Sequence, residues 1–287
     1  MPINIVMLIL LGEMGIIAGI ITGLFPGIHI NLVAVIMFAS ISTLLELTSP
    51  LALAVFIVAM SITHTMFDFI PSIFLGAPDE NSFLSILPGH QLLLQGHGYA
   101  AIVYTLYGSA VGALLIIFFL PLFIAFLPTL YPYIQKTMAP LLILLSIYLI
   151  ITEKNKLKST IIFLLAGFLG IAALNIGIKE PLLPLLSGLF GASGLIISMK
   201  QKTTIPEQKI TSLSHIQLSK KSLVKGIGAS IIAAPFTAFL PGLGASQAVI
   251  IGQLSLQIKD QREFLFVIGA VNMLVIGLSF ITVYAIQ

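Results

Sequence analysis

Two apolar stretches of the chain are each interrupted by a Pro-Gly pair with polar residues after it. Pro26-Gly27 interrupts the first stretch and Pro241-Gly242 the second. Proline removes a backbone donor and glycine permits a sharp turn, so each pair predicts that one helix ends and another begins. The unpaired N–H groups and positive dipole end of a new helix favour an anion. The sequence therefore predicts a carboxylate or phosphate site where two such helix ends converge inside a membrane.

The residues that follow the two pairs are the candidate substrate ligands: Gly27, His29, Asn31, Gly242, Gly244, Ser246 and Gln247. The alternative is that both pairs are ordinary proline kinks, whose freed backbone groups are satisfied by neighbouring helices. The recurrence of Pro-Gly with polar followers in both halves favours the site.

A second polar group lies within an apolar segment and comprises Ser61, His64, Thr65 and Asp68. Their spacing of three, four and seven residues places them on one face of a helix. Ionisable residues inside a membrane are costly and usually face a cavity or a proton path. We therefore predict a coupling site for Na⁺ or H⁺, with Asp68 as its carboxylate and His64 as a proton-handling neighbour. The alternative is that Asp68, close to Pro71, lies at the membrane interface.

Composition identifies the class of protein. The 287 residues are 58% hydrophobic and 8% charged, with a mean hydropathy of +1.14, whereas soluble domains have about 25% charged residues. The sequence thus predicts an all-α, multi-pass protein of the cell membrane, whose surface contacts the lipid bilayer. The absence of cysteine excludes disulfides, thiolate metal sites and cysteine nucleophiles. The few excess lysines lie in loops, which indicates topology and not a nucleic-acid partner.

A transmembrane span needs about 20 apolar residues. Ile3–Leu45 is about twice that length, so it is either two spans or a re-entrant hairpin that turns at Pro26-Gly27. Tyr99–Tyr133 contains several prolines and is one broken span or two short ones. The other predicted spans are Ser49–Leu75, Thr137–Thr152, Thr160–Ile178, Pro181–Met199, the broken stretch Lys225–Ile258, and Phe264–Ile286.

The two breaks also indicate an internal repeat. A shift of 215 residues superposes Pro26 on Pro241 and also matches Thr22 with Thr237. We divide the chain into a first repeat with intervening spans (1–199), a lysine-rich linker (200–225) and a second repeat (226–287).

Loop lysines set the orientation. They place Glu153–Lys158 and Lys200–Lys225 in the cytoplasm, and Lys259 with Arg262 requires the second broken stretch to return to the same side. The lysine-free loop Gly76–Gly98 is then expected outside, or folded into the pore. The orientation of one repeat relative to the other is not fixed by these signals.

The loop Gly76–Gly98 is dense in turn-forming residues, and its candidate functional residues are Pro78, Asp79, Gly89 and His90. It has no Gly-Lys-Ser/Thr sequence, which argues against a phosphate loop. Its acidic residues and histidines lack the tight spacing of metal ligands, so we expect no metal site.

Four segments of the chain resemble the TctA-type large permease subunit of the tripartite tricarboxylate transporter family, particularly its shorter archaeal members. They are Leu75-Gly76-Ala77-Pro78, Pro88-Gly89-His90, Gln95-Gly96-His97-Gly98 and Pro241-Gly242-Leu243-Gly244. The resemblance implies cation-driven uptake of organic carboxylates, served by an extracytoplasmic binding protein and a small membrane subunit, with no cofactor beyond coupling Na⁺ or H⁺. Pro88 and His97 stand where the family usually has Asp and Arg. The family's long members approach twice this length, so several C-terminal spans are expected to be absent.

Three other functions were weighed. Helix ends suit a lipid phosphate equally well, so a polyprenyl-phosphate or other lipid-phosphate flippase is the first alternative. A non-transporting membrane scaffold is the second, and it requires Asp68 and both breaks to be inaccessible and filled. An intramembrane enzyme is disfavoured, because the sequence has no His-Glu-x-x-His motif, no Gly-x-Ser-x-Gly motif and no acidic pair at span depth.

Overall fold

The computed structural model describes residues 4–25, 28, 30–75, 86–177, 185, 189, 196, 205–239 and 244–286. Both Pro-Gly pairs, His29, Pro78 and Asp79 lie outside this part of the chain. Its principal helices are α1 (Ile5–Leu24), α2 (Ile30–Ala39), α3 (Ile41–Leu47), α4 (Pro50–Phe67), α5 (Phe69–Leu75), α6 (Ile86–Leu94), α7 (Gly98–Thr152), α8 (Lys156–Asn175), α9 (Lys220–Phe239), α10 (Ala245–Leu256) and α11 (Gln261–Ile286). The predicted all-α class is confirmed, and five of the described helices are long and apolar enough to span a membrane.

Helix α1 packs against α4 through a stripe of glycines. If Gly15 carried a Cβ atom, that atom would lie 2.5 Å from the Phe56 carbonyl oxygen, which is closer than side chains approach. A Cβ atom added at Gly19 would lie 2.5 Å from the Met60 carbonyl oxygen. One turn later, Gly23 faces His64 and Phe67 in the same way. Small residues permit this close backbone approach between membrane helices. Because the contacts advance together along both helices, α1 and α4 are parallel.

Two parallel helices in succession require the chain to return between them. Helices α2 and α3 make this return, and α3 ends at Leu47, three residues before α4 begins. The contacts of α1 with α4 place the start of α4 level with the start of α1. Helices α1, α2 and α3 therefore form a hairpin, in which α2 and α3 bring the chain back to the end at which α1 begins.

The second broken stretch is also a helical hairpin. A Cβ atom at Gly252 of α10 would lie 2.7 Å from the Ala229 carbonyl oxygen of α9. Nearer the open end, the Lys225 ammonium donates to the Gln257 carbonyl oxygen over 2.9 Å. The two helices are thus antiparallel, and the chain returns to the end from which α9 started. This confirms the return that Lys259 and Arg262 predicted.

Helix boundaries agree with the predicted internal repeat. Shifting α1 by 215 residues gives the bounds of α9, and the start of α2 becomes that of α10. Ala234, the counterpart of Gly19, packs with Leu274 and Leu278 of α11. Leu278 is the counterpart of Thr63, which faces Gly19 on α4. Each unit is therefore a helix, a returning arm, and a third helix parallel to the first.

The two units run in opposite directions. Contacts of α7 with α11 advance together, from Gly108 beside Phe266 to Gly112 beside Met273, so these helices are parallel. At the start of α7, a Cβ atom at Gly98 would lie 3.2 Å from the Phe74 ring, at the end of α5. Helix α4 also packs on α11. Because α5 ends where α7 begins, and α7 is parallel to α11, the helices α4 and α5 are antiparallel to α11. The first unit is thus inverted relative to the second.

Helix α7 combines two predicted spans in one element. Its 55 residues correspond to about 82 Å, more than twice the roughly 30 Å of a bilayer core. It therefore contains more than one span length of apolar chain. Pro121, Pro128, Pro132 and Pro140 lie inside it, and proline is the usual cause of a bend in a long helix.

One of the two expected positions of the loop Gly76–Gly98, on the side opposite to the linker, disagrees with the structure. The Lys209 N–H donates to the Gly96 carbonyl oxygen over 2.8 Å, and the Gly98 N–H donates to Gln208 Oε1 over 2.8 Å. The described part of the loop, residues 86–98, thus lies at the same end as the lysine-rich linker and not on the opposite side. Its lack of lysine follows from packing, because Leu93 and Gly96 are buried. A lysine-free segment carries no orientation signal of its own.

The glycine stripe of α1 makes a test of this packing. We expect Gly19→Leu to force α1 away from α4 and to destabilise the protein by about 1–3 kcal/mol, the usual cost of overpacking. The matched control is Gly12→Ala, whose Cβ would meet Val55 at an ordinary 3.5 Å. Thermal unfolding of both purified variants, followed by size-exclusion chromatography, measures the difference. Equal melting temperatures for Gly19→Leu and the wild type would contradict the described packing.

Candidate functional site

The end of α1 contributes a buried hydrogen bond to α4. Thr22 Oγ1 and His64 Nδ1 are 2.9 Å apart, and the Thr22 hydroxyl donates to the Gly19 carbonyl oxygen over 3.3 Å. The tautomer of the imidazole decides whether Nδ1 of His64 or the Thr22 hydroxyl is the donor of the shorter bond. This bond joins the end of α1 to α4.

Asp68 lies where α4 passes into α5. Its N–H donates to the His64 carbonyl oxygen over 2.9 Å, and its own carbonyl oxygen accepts from Ser72 N–H over 3.2 Å, so the chain stays helical through the junction. Pro71 has no N–H to give to the Phe67 carbonyl oxygen, which weakens the helix at this point. Asp68 is only 5% exposed. It therefore lies inside the protein, seven residues before the end of the Pro50–Leu75 candidate span.

The first break begins beside the backbone of Asp68. A Cβ atom at Gly23 would lie 3.2 Å from the Asp68 backbone nitrogen and 2.9 Å from the His64 carbonyl oxygen. Pro26 follows Gly23 by three residues. The packing of α1 on α4 thus brings the start of the first break next to the predicted coupling residues.

The predicted polar face of α4 is present and extends further than the sequence indicated. Thr65 Oγ1 donates to the Ser61 carbonyl oxygen over 2.8 Å, and Ser72 Oγ donates to the Asp68 carbonyl oxygen over 2.6 Å. Ser61, Thr65, Asp68 and Ser72 are all buried. Ser72 was missed, although it lies four residues after Asp68 and within the predicted span Ser49–Leu75.

The flank of the second break has a different environment. The Gly244 N–H donates to Gln247 Oε1 over 2.9 Å, so Gln247 caps the start of α10 and occupies one donor predicted for the substrate. Ser246 is 1% exposed. The end of α9 packs on the C-terminal half of α11, where Ala234 contacts Leu274. Pro241 and Gly242 lie outside the described residues, and convergence of the two breaks stays a prediction.

Two of the loop candidates have structural roles. A Cβ atom at Gly89 would lie 2.7 Å from the Ile73 side chain, and His90 Nδ1 is 3.4 Å from the Ile73 carbonyl oxygen. Both residues thus hold α6 against α5. Pro78 and Asp79 lie outside the described residues, so their predicted role is untested.

Comparison with known proteins agrees with the resemblance drawn from the motifs. The profile of the tripartite tricarboxylate transporter TctA family matches residues 8–287. An uncharacterised protein of Methanocaldococcus jannaschii is 34% identical over 276 residues, which cover 94% of this chain and 66% of that protein. The chain thus spans slightly less than two thirds of the length of this relative. No solved structure matches the chain.

The profile match extends through both Pro-Gly breaks, the polar face of α4 and the α6 loop. Together with the apolar spans, it makes the protein a multi-pass membrane protein of a family of transporters. The chain belongs to the tripartite tricarboxylate transporter TctA family.

Proposed function

We propose that the protein is a secondary transporter of the cell membrane that takes up an organic anion, a di- or tricarboxylate, together with a coupling cation. The observation that carries this proposal is the contact of Gly23 with the Asp68 backbone, which brings the start of the first break to the residue that bears a buried carboxylate. Buried ionisable groups within a span are functional in most membrane proteins. The family match supports transport in general, and the substrate and coupling are our proposal.

The substrate anion would bind at the N-terminal end of α2, where the first N–H groups of a helix have no intrahelical acceptor. Gly27 leaves room for close approach, and His29 and Asn31 supply further donors. The neighbouring carboxylate of Asp68 repels an anion at this place. A cation bound at Asp68 removes the repulsion, so each ligand increases the affinity of the other by the same factor. This reciprocal effect is the coupling.

The second unit would contribute from the opposite side of the membrane. Helix α10 has 12 residues, about 18 Å, which is too short to cross a bilayer core of about 30 Å. We therefore interpret α9 and α10 as a re-entrant hairpin, with Gly242, Gly244 and Ser246 at its tip. Gln247 would release Gly244 when the substrate arrives. Rocking of inverted units about a central site is the usual route to alternating access.

Two partners follow from the family. A tripartite system contains a permease, so we propose that an extracytoplasmic binding protein delivers the substrate and that a small membrane subunit joins the complex. The large apolar surfaces of α7 and α8 offer room for further membrane helices, since residues such as Phe118, Leu157 and Phe168 are exposed.

A thermal-shift screen of the purified protein tests the substrate class. We expect di- or tricarboxylates to raise the melting temperature in NaCl by a few degrees near saturation, because a ligand at 100 times its Kd stabilises by about 2.7 kcal/mol. Stabilisation by polyprenyl phosphate alone would favour the flippase. No response to either class would favour a scaffold, for which the burial of Asp68 meets one condition.

A further inference from the structure

Asn272 is a buried amide without a hydrogen-bond partner. It lies near the middle of α11, is 1% exposed, and neither its oxygen nor its nitrogen bonds to any group in the described part of the protein. Nearly all buried polar groups in proteins are hydrogen-bonded, and each exception calls for an explanation such as a bound water or ion.

The face of α11 that carries Asn272 can be identified from the contacts of the other faces. One face meets α7 through Gly269, Ala270 and Gly277, and another meets α9 through Phe266 and Leu274. At about 100° per residue, Asn272 lies more than about 100° from the centre of either face. It lies instead in line with Ile268, one turn earlier, and Leu265, two turns earlier.

Helices α4, α6 and α10 also pack on α11, and we take α4 as the helix that this third face meets. Leu265 and Ile268 belong to one apolar core with Phe69 and Ile73 of α5, and α4 packs on α11. Helix α1 covers a different side of α4, through Gly15, Gly19 and Gly23. Because α4 runs antiparallel to α11, this register puts Asn272 level with the region of Thr65 and Asp68 on α4.

The oxygens at this level of α4 and α11 are suited to a hard cation. They are the Asp68 carboxylate, the Thr65 hydroxyl, the Asn272 amide oxygen and the Phe67 carbonyl oxygen, which Pro71 cannot bond. No lysine or arginine occurs in 50–75 or in 263–286. An anion would be repelled by Asp68, and a bound proton supplies a single hydrogen bond, whereas a metal cation can be held by all four oxygens.

We propose that these groups form a Na⁺ site to which the inverted second unit supplies Asn272. The inference rests on the proposed cation-coupled transport and names its ion. A site built from α4 and α11 also explains coupling mechanically, since the ion is bound fully only when the two units are close together. Na⁺ binding would then favour the closed arrangement around the substrate.

Thermal unfolding in Na⁺ tests the site. Melting temperatures are measured for purified protein in NaCl and in choline chloride at equal ionic strength, for the wild type, Asn272→Leu and the control Asn175→Leu. Asn175 is exposed at the end of α8. We expect Asn272→Leu to melt at or above the wild-type temperature in choline, because an unsatisfied amide has been removed, and to bind Na⁺ at least about tenfold more weakly.

The wild type and Asn175→Leu should keep the same Na⁺-dependent shift. An unchanged Na⁺ affinity in Asn272→Leu, or no Na⁺ shift in the wild type, would overturn the inference. If Asn272→Leu is not monodisperse, Thr65→Val must show the same loss. Carboxylate uptake driven by a pH gradient without Na⁺ would refute the site and leave the proposed transport intact. Na⁺ binding without any carboxylate transport would refute the proposed function and leave the site intact.

Discussion

Asp68→Asn is expected to abolish uphill uptake of the carboxylate in proteoliposomes while retaining part of the substrate exchange. The amide is nearly the same size as the carboxylate, but it lacks the charge that holds the coupling cation at the α4–α5 junction. Without that charge the cation gradient no longer drives the substrate, whereas the helix ends that bind the anion remain. Internal substrate should therefore level off at the external concentration. The readouts are labelled-substrate accumulation with an inward Na⁺ gradient, and counterflow without one.

Asp260→Asn is the matched control for this variant. Asp260 is exposed before α11, where its carboxylate accepts from the Arg262 N–H over 2.7 Å, and an asparagine can accept the same bond. It should accumulate substrate as the wild type does. Gradient-driven accumulation that persists in Asp68→Asn would remove Asp68 from the coupling site.

A large side chain at either Pro-Gly break is expected to have the second large effect, a loss of carboxylate binding. A leucine at Gly27 or at Gly242 would cover the N–H groups at the start of the following helix and exclude the anion. We expect each single variant to lose the carboxylate-dependent thermal shift, with at least about a hundredfold weaker binding, or about 2.7 kcal/mol. The control is Gly167→Leu on α8, where an added Cβ would meet no atom within 4 Å.

The two variants also test separate parts of the proposed site. Loss of carboxylate binding in both variants would support one binding chamber that is lined by both breaks. An undiminished carboxylate affinity in Gly242→Leu would remove the second break from the site, and the α9–α10 hairpin would then be a structural counterpart only.

Helical spacing was sufficient to predict the polar face of α4. Ser61, Thr65 and Asp68 recur at intervals that a helix places on one side, and this depends only on local geometry. The partner of His64 was harder to predict. Thr22 is 42 residues away, and only the close packing of the α1 glycines on α4 brings its hydroxyl within reach.

The orientation of the two units could not be derived from the sequence. The lysine rule depends on counting crossings, and the prolines of α7 made that count ambiguous between Gly98 and Thr152. The contact of Phe74 with Gly98 resolves it, because that contact fixes the direction of α5 relative to α7. Asn272 was missed for a related reason. A single amide in an apolar helix has no periodicity, and its significance appears only when its partners are sought in three dimensions.

Substrate accumulation by the wild-type protein is the most direct test of cation-coupled transport. Purified protein in liposomes is given labelled di- or tricarboxylate with an inward Na⁺ gradient, and the Na⁺ ionophore monensin is added after uptake has reached a plateau. We expect internal substrate to exceed the external concentration severalfold and to fall back when the gradient is dissipated. Uptake that never exceeds the external concentration, and that monensin leaves unchanged, would contradict coupled transport.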